Sequence, residues 1–208
     1  MNSEIAYDSY PTAKATTNYI FFEPSDMQIN LTKIPGCYEL LPSIFKDERG
    51  SFVKTFHEEV FQRYQLTTHF AEEYYSVSRY NVLRGLHFQL PPQDYTKIVY
   101  CLQGEVIDVV VDLRKGSPTH GKFELFNLSA ENTKIIYMPP GLAHGFYVTS
   151  EIAIMCYKVS RVYSPNEDTG ILWSSLGIPW PSINPILSNR DSNFMPFSEF
   201  NSPFIYEN

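Results

Sequence analysis

Short runs of alternating apolar and polar residues, separated by turn-forming residues, constrain the fold of this chain more than any other feature. In residues 105–113, Ile107, Val109 and Val111 fall on one face of a strand and Asp108 on the other, because strand side chains alternate. Similar strands are predicted at residues 37–41, 51–56, 70–77, 122–128, 134–138, 145–149 and 152–159. Strands about eight to twelve residues apart, with Gly, Pro and Asn between them, predict an all-β sandwich or barrel.

The 208 residues divide by composition into one principal domain and two flanking segments. Residues 1–35 form an N-terminal arm that is mostly polar and without a clear period. Residues 36–181 form the β-domain, and residues 182–208, rich in Pro, Ser and Asn, form a C-terminal segment that we expect to pack over it. One short helix is predicted at residues 58–66, where Val60, Phe61 and Tyr64 have helical spacing.

Charge and cysteine placement exclude several classes of function. The net charge of −7, without a basic block, argues against a nucleic-acid partner or an acidic membrane surface. No apolar run approaches the roughly 20 residues of a membrane span, and the N-terminus lacks the pattern of a secretory signal. Cys37, Cys101 and Cys156 lie far apart and form no CxxC motif. We therefore expect reduced cysteines in a cytoplasmic protein.

Residues 81–97, NVLRGLHFQLPPQDYTK, place an arginine, a histidine and a lysine within fourteen residues. His87 and Gln89 lie on one face of a predicted strand, Pro91-Pro92 ends that strand, and Lys97 opens the next apolar run. Histidine is the side chain best suited to proton transfer near neutral pH. A lysine nearby would supply positive charge where negative charge develops during a reaction. We therefore take this segment as the centre of the candidate site.

The turn at residues 139–144, PPGLAH, has the PxGxxH pattern of the second half-motif of the cupin jelly roll. The sequence GLHFQ at residues 85–89, followed by Gly104, stands where the first half-motif belongs. Metal-binding cupins usually present HxH and a following glutamate there, but this chain has Gln89 and no glutamate at the expected distance. Two histidines are a poor site for zinc, iron or manganese, which generally need three or more protein donors. We predict a cupin-type jelly-roll barrel, a double-stranded β-helix with a few short helices, without a metal or other cofactor.

Residues 36–195 resemble the dTDP-4-dehydrorhamnose 3,5-epimerase family, metal-free cupins that act on nucleotide-linked 4-keto sugars. The resemblance rests on segments in the family's order: DERGSF at 47–52, VLRGLHFQ at 82–89, residues 104–114 followed by SPT at 117–119, AHGF at 143–146, Tyr157, Tyr163, and SNRD at 188–191. It implies an epimerase that removes and returns a proton at C3, C5 or both, beside the C4 ketone of a 4-keto-6-deoxy sugar. The implied partner is a nucleotide-diphosphate sugar, and we expect a homodimer.

The resemblance also implies a role for each candidate site residue. His87 matches the catalytic base, and Asp191 matches the carboxylate that orients its ring. Lys97 matches the cation that stabilises the enolate, and Tyr157 matches the acid on the opposite face. The positions that match substrate- and nucleotide-binding residues are Arg49, Lys54, Glu72, Tyr74, Arg84, His144, Tyr163, Asp168 and Arg190. The three arginines among them would bind the diphosphate or neighbouring oxygens, and Tyr163 would stack on the nucleobase.

Several positions depart from the family's pattern, and they concern nucleotide recognition. The family usually has glutamate at the position of Lys54, glutamine at Glu72 and asparagine at Tyr74. Asp168 shortens a glutamate, and the family's WNDP segment is contracted to WSS at residues 173–175. We expect the chemistry to persist and the nucleotide or sugar to have changed, which puts thymidine in doubt. Epimerases that act at C3 alone keep similar residues, so C3-only and C3/C5 epimerisation both remain open.

Each role has a structural alternative. A strand histidine such as His87 is more often a core or surface residue than a catalyst, and Tyr157 or Tyr163 could serve in packing alone. Arg84 could form an ion pair with a strand aspartate such as Asp108.

Two other classes of protein fit parts of the pattern. A metal-dependent cupin is disfavoured by Gln89 and the missing glutamate. A non-catalytic carbohydrate-binding cupin would not need Lys97, Tyr157 and Asp191 together.

Overall fold

The computed structural model describes residues 27–207, and regular structure in this range is mostly β-strand. The strands are β1 (Gln28–Leu31), β2 (Tyr38–Leu41), β3 (Ile44–Asp47), β4 (Gly50–Val53), β5 (Glu72–Arg79), β6 (Leu83–Gln89), β7 (Lys97–Gln103), β8 (Glu105–Asp112), β9 (Phe123–Ser129), β10 (Ile135–Met138), β11 (Leu142–Val148), β12 (Ile152–Val159) and β13 (Asp168–Gly170). The helices are α1 (Glu58–Arg63) and α2 (Asn189–Ser192), with a 3₁₀ turn at Phe197–Glu199. The prediction of an all-β chain with a few short helices is confirmed.

In the described range two antiparallel sheets pack face to face. The larger has six strands in the order β1-β2-β10-β7-β12-β5, and the smaller has five in the order β13-β6-β11-β8-β9. A separate hairpin consists of β3 and β4. Strands distant in sequence are neighbours, because β6 pairs with β11 and β7 pairs with β12. This pairing brings the two half-motifs together, with His87 directly opposite His144.

Apolar side chains from both sheets fill the space between them. Val99 and Met155 of the larger sheet belong to the same buried cluster as Val110 and Phe146 of the smaller sheet. Full burial of a side chain of this size stabilises a fold by about 1.5–3 kcal/mol. The interior is therefore a packed support for the polar residues that reach into it.

The outer faces of the two sheets are covered by other parts of the chain. Val60 and Phe61 of α1 pack on the larger sheet. On the smaller sheet, Phe204 of the C-terminal segment packs against Phe88, with ring centroids 5.8 Å apart. The helix ends at Arg63, before the predicted end at residue 66, because Gln65 adopts a positive φ of 57°, which helices use to terminate.

Most of the predicted N-terminal arm, residues 1–35, lies outside the described residues. In its described part, β1 pairs with β2 and extends the larger sheet. No helix between residues 27 and 207 is both long enough and apolar enough to cross a membrane.

Candidate active site

A cavity of about 490 Å³ gathers most of the predicted site residues. His87 lines it from β6, Lys97 from β7 and Tyr157 from β12. The predicted binding residues that also line it are Glu72, Tyr74, Arg84, His144, Tyr163, Asp168 and Arg190. The strand β6 belongs to the smaller sheet and β12 to the larger. The predicted base and the predicted acid therefore reach the cavity from opposite sheets.

The His87 ring is held by a buried carboxylate. Asp191 Oδ1 lies 2.9 Å from His87 Nε2, and Asp191 Oδ2 accepts a hydrogen bond of 3.0 Å from the Gly85 N–H. The Asp191 N–H donates to Ser188 Oγ, which caps α2 and fixes the carboxylate. Burial acts to raise the pKa of Asp191, but the hydrogen bonds and the His87 ring hold that pKa below its ordinary value. Asp191 is therefore ionised at neutral pH, and it leaves the second ring nitrogen of His87 for proton transfer.

The Tyr157 side chain is held by two residues of β5. Its hydroxyl lies 3.0 Å from Ser76 Oγ, and its ring stacks on Tyr74 with centroids 4.9 Å apart and planes at 17°. Burial raises the pKa of Tyr157, so the hydroxyl keeps its proton at neutral pH. A protonated phenol in this position can act as a proton donor.

Lys97 brings a buried amino group to the same cavity. Burial lowers the pKa of Lys97, while Tyr74, Asp168 and Asp108 act to raise it. A charge in a site with little water interacts strongly with any opposite charge that forms beside it. The ammonium form of Lys97 is therefore suited to stabilise an oxyanion.

A second histidine–aspartate pair lies on the smaller sheet. His144 Nε2 is 2.6 Å from Asp108 Oδ2, and both side chains are buried. Burial lowers the pKa of His144, although Asp108 acts to raise it. The His144 ring lies edge-on to the Tyr157 ring, with centroids 6.3 Å apart. His144 therefore lines the cavity, and its hydrogen bond with Asp108 fixes the orientation of its ring.

Arg84 and Arg190 bring two guanidinium groups to the cavity. Arg84 Nε donates to Ser78 Oγ at 2.9 Å, so the partner of this arginine is a serine hydroxyl and not the aspartate considered above. Arg190 Nη1 lies 2.6 Å from Asp168 Oδ2. Guanidinium groups bind phosphates through paired N–H donors. Two of them beside a cavity with a histidine, a lysine and a tyrosine suit a substrate that carries phosphate.

Residues 31–199 match the model of the family described as dTDP-4-dehydrorhamnose 3,5-epimerase. The chain belongs to this family. The resemblance inferred from the motifs is thereby confirmed, and the prediction of an epimerase is confirmed at the level of the family.

Three relatives illustrate the likeness. A dTDP-4-dehydrorhamnose 3,5-epimerase of Shigella flexneri is 45% identical over 174 residues, which are 82% of this chain and 96% of the relative. A dTDP-4-dehydrorhamnose 3-epimerase of Streptomyces niveus is 36% identical over 176 residues, which are 83% of this chain and 85% of the relative. A crystal structure of dTDP-6-deoxy-D-glucose-3,5-epimerase from Legionella pneumophila, in complex with dTDP-4-keto-L-rhamnose, has a TM-score of 0.84 and 35% identity, and the match covers 88% of this chain and all of that one. The prediction of a cupin-type jelly roll is confirmed by this likeness.

Two positions expected to bind the nucleotide sugar lie outside the cavity. Arg49 is on the exposed hairpin of β3 and β4, where it pairs with Asp47. Lys54 follows β4 and lines a small separate cavity together with Phe45 and His57. Within one chain, therefore, the fold does not bring Arg49 or Lys54 to the cavity.

Two polar residues of the cavity were not singled out by the sequence patterns. Ser76 contacts the Tyr157 hydroxyl, and its spacing of two from Tyr74 on one strand was a usable signal. Tyr95 lines the cavity with its ring centroid 5.2 Å from Lys97 Nζ. No periodic signal identifies Tyr95, because it lies in the irregular segment before β7.

Gln89, interpreted above only as a missing metal ligand, connects two loops to β6. It is buried, accepts a hydrogen bond from the Ser164 N–H and donates one to the Gln93 carbonyl, each at 2.7 Å. The first loop carries Tyr163, and the second leads to Lys97. Among residues 27–207, no group of three or more His, Cys, Asp or Glu side chains is arranged to hold a metal ion.

Proposed function

We propose that this chain epimerises a nucleotide-linked 4-keto-6-deoxy sugar at C3, C5 or both. The observation that carries the proposal is the approach of His87 and Tyr157 to one cavity from opposite sheets, with Lys97 in the same cavity. Inversion at a carbon beside a ketone requires a base on one face of the sugar and an acid on the other.

His87 removes the proton from the carbon beside the ketone. The electron pair of that C–H bond forms an enolate, whose oxygen is stabilised by the Lys97 ammonium. Tyr157 then donates its proton to the opposite face of the same carbon, which completes the inversion. The imidazolium of His87, stabilised meanwhile by Asp191, returns its proton to solvent, and the Tyr157 phenolate takes one up. Substrate and product have the same oxidation state.

The arginine and tyrosine side chains of the cavity support a nucleotide-diphosphate sugar as substrate. Arg84 and Arg190 provide two guanidinium groups for the diphosphate, and Tyr163 is 56% exposed and available to stack on the base. The Legionella neighbour is in complex with dTDP-4-keto-L-rhamnose, a sugar of this class. In this chain Glu72 accepts a hydrogen bond from the Tyr163 N–H at 3.1 Å, so a position that differs from the family's pattern is tied to the base-stacking residue.

The experiment that tests the function is incubation of the purified chain with dTDP-4-dehydro-6-deoxyglucose and its GDP, CDP and UDP counterparts. NMR coupling constants of the products should show inversion at C3, or at C3 and C5, with at least one nucleotide. Binding without inversion of any of the four sugars would contradict the proposal and favour a non-catalytic carbohydrate-binding cupin. Activity that is lost on treatment with a chelator and restored by one metal would favour a metal-dependent cupin.

We also propose that the protein is a homodimer. Several apolar residues of the larger sheet are exposed on strands next to the cavity: Tyr75, Val77, Leu102 and Ile152. Tyr75 and Val77 alternate with the cavity residues Tyr74 and Ser76 on β5, so they point to the outer face of the sheet. Exposed apolar groups on one face favour association with a second copy, most often through a twofold axis. Analytical ultracentrifugation should give twice the 24.0 kDa mass of the chain.

A second protomer would also explain why the hairpin of β3 and β4 carries exposed aromatic side chains. Arg49 lies at its tip, and Phe45 and Phe52 are 52% and 62% exposed. An exposed pair of aromatic rings beside a guanidinium is suited to contact another chain. We propose that Arg49 serves the cavity of the partner protomer.

We further propose a cytoplasmic location. Cys37, Cys101 and Cys156 are free and buried, as expected for a protein of a reducing compartment. Fractionation of the source cells, followed by immunodetection, tests this location.

A further inference from the structure

Lys97 has an unusual environment for a buried amino group. It opens β7, is 6% exposed, and forms no ion pair with any residue between 27 and 207. The two carboxylates that act on it are committed elsewhere, since Asp108 is bound to His144 and Asp168 to Arg190. A buried ammonium without a paired anion is unfavourable unless another group compensates for its lost hydration.

The ring of Tyr95 lies where it can provide that compensation. The Lys97 Nζ atom is 5.2 Å from the centroid of the Tyr95 ring. A cation within about 6 Å of an aromatic centroid is attracted by the negative face of the ring, and the attraction is larger when the pair is shielded from water. Tyr95 lines the same cavity as Lys97 and is partly buried.

The backbone on both sides of Tyr95 is anchored by hydrogen bonds. The neighbouring Thr96 N–H donates to Ser160 Oγ at 3.0 Å, and the Thr96 carbonyl accepts from the Ser160 N–H at 3.0 Å. Gln89 anchors the start of the same segment through the Gln93 carbonyl. The backbone position of Tyr95 therefore follows from contacts that do not involve Lys97.

We propose that Tyr95 is a positioning residue that holds the Lys97 ammonium in place through the face of its ring. The inference rests on the proposed function for its catalytic consequence, but the contact itself can be tested without catalysis. Tyr95 thereby becomes a part of the site that favours the charged form of Lys97 and directs it into the cavity. The hydroxyl of Tyr95 is not required for this role.

The direct test is an NMR titration of Lys97 in protein labelled with [¹³Cε]lysine, with the signal assigned by its absence in Lys97→Met. Tyr95→Leu should lower the pKa of Lys97 by about one pH unit, because loss of the ring removes a stabilising contact of the charged form. Tyr95→Phe keeps the ring and should leave the titration within about 0.3 pH unit of the wild type. The groups Tyr74, Asp168, Asp108 and His144 also face Lys97 and are unchanged in both variants. Equal titration curves for Tyr95→Leu and the wild type would overturn the inference.

Turnover gives a second readout. Tyr95→Leu should lower kcat about tenfold, with KM changed less than about threefold, and the alkaline limb of kcat should move to lower pH. Tyr95→Phe should retain kcat. In the Lys97→Met background, Tyr95→Leu should cause no further loss, because the two residues act as a unit. A full additional tenfold loss in that background would overturn the proposed role.

A series of isosteric rings keeps the test decisive if Tyr95→Leu fails to fold. Phenylalanine with one, two or three fluorine atoms at position 95 has nearly constant size and a progressively weaker negative face. The pKa of Lys97 should fall stepwise along the series. A flat series would overturn the inference. If the wild type shows no turnover but the pKa of Lys97 falls stepwise along the series, the proposed function is contradicted and the contact between Tyr95 and Lys97 is not.

Discussion

Tyr157 is positioned by contacts that act on different parts of its side chain. Ser76 contacts the hydroxyl, and Tyr74 stacks on the ring at 4.9 Å. Together they fix both the position of the hydroxyl oxygen and the plane of the ring. Because burial raises the pKa of Tyr157, the residue enters the reaction with its proton in place. Its assigned step is therefore the delivery of a proton rather than the removal of one.

Tyr157→Phe should reduce epimerised product about 10²-fold or more, the scale of a lost general acid. The exchange of the substrate C–H proton with solvent should fall less, because His87 can still remove and return a proton on its own face. Proton NMR in heavy water measures both rates in one sample. Tyr75→Phe is the control and should leave both rates unchanged, because Tyr75 lies on the face of β5 away from the cavity and the variant keeps its aromatic ring. Equal losses of product and exchange in Tyr157→Phe would show that Tyr157 only shapes the cavity.

At the scale of elements, the pairing of β6 with β11 places the base beside the second histidine. The two strands approach closely at a pair of glycines, and a Cβ added at Gly85 would lie 2.6 Å from Gly145 Cα. Gly85 also has a φ of +137°, which L side chains rarely adopt. The register of the two strands shifts between His144 and Phe146, directly beside this contact. The position of His87 relative to His144 therefore depends on the absence of a side chain at Gly85.

Gly85→Ala should lower the free energy of unfolding by more than the roughly 1–2 kcal/mol expected when an alanine is forced to a positive φ. The additional loss comes from the backbone contact with Gly145. Gly116→Ala is the matched control, because Gly116 has a φ of +83° but nothing within 4 Å of the added Cβ. Denaturant unfolding of the two variants measures the difference. Equal destabilisation would mean that the close approach of the strands is not important.

Strand β5 carries two of the positions that depart from the family's pattern. Glu72 contacts the Tyr163 N–H, and Tyr74 stacks on Tyr157, so both replacements have structural roles within the chain. A carboxylate accepts hydrogen bonds and cannot donate, unlike the amide that the family has at the position of Glu72.

Thymidine diphosphate should therefore bind at least about tenfold more weakly than the best of the other nucleotides, the scale of one unmatched buried hydrogen bond. Calorimetric titration of the protein with dTDP, GDP, CDP and UDP measures this. If dTDP binds as tightly as the best of the four, the replacements on β5 do not alter nucleotide preference. Glu72→Gln, which restores the family's residue, should then leave all four affinities unchanged.

The alternation of side chains made the strands and their faces predictable, because period-two patterns depend only on local sequence. This is why the placement of His87 and Gln89 on one face could be inferred, whereas the contact of Gln89 with Ser164 could not. The Asp191 carboxylate lies 104 residues from His87 in sequence and 2.9 Å from it in space, so only the resemblance indicated it. Tyr95 was missed because it precedes β7 in an irregular segment without periodicity. Contacts of this kind depend on tertiary structure that no single stretch of sequence specifies.

At the scale of the whole molecule, the hairpin of β3 and β4 separates Arg49 from the cavity of its own chain. The resemblance predicted that Arg49 is part of the binding site, but the fold of one protomer does not place Arg49 at the cavity of that protomer. If the partner's cavity receives Arg49, one protomer can lack His87 and its partner can lack Arg49 without loss of every site.

Co-expression of His87→Asn and Arg49→Ala chains should therefore restore activity that neither variant has alone. Random pairing makes half of the dimers mixed, and each mixed dimer has one cavity with both residues, so about one quarter of the wild-type rate is expected. Mixed dimers isolated with two different affinity tags allow the rate per dimer to be measured. Lys115→Ala replaces Arg49→Ala as the control for co-expression, because Lys115 is exposed and does not line the cavity. If the mixed dimers are no more active than the two variant homodimers together, Arg49 does not contribute to the partner's site.

The central claim is that His87 removes a proton beside the ketone of a nucleotide-linked 4-keto sugar. The most direct measurement is deuterium incorporation into the sugar in heavy water, followed by NMR for the wild type and His87→Asn in parallel. The wild type should incorporate deuterium at C3, or at C3 and C5, while His87→Asn should incorporate none at either carbon and bind the nucleotide with affinity within about threefold of the wild type. Deuterium exchange by His87→Asn at a rate near that of the wild type would contradict the claim.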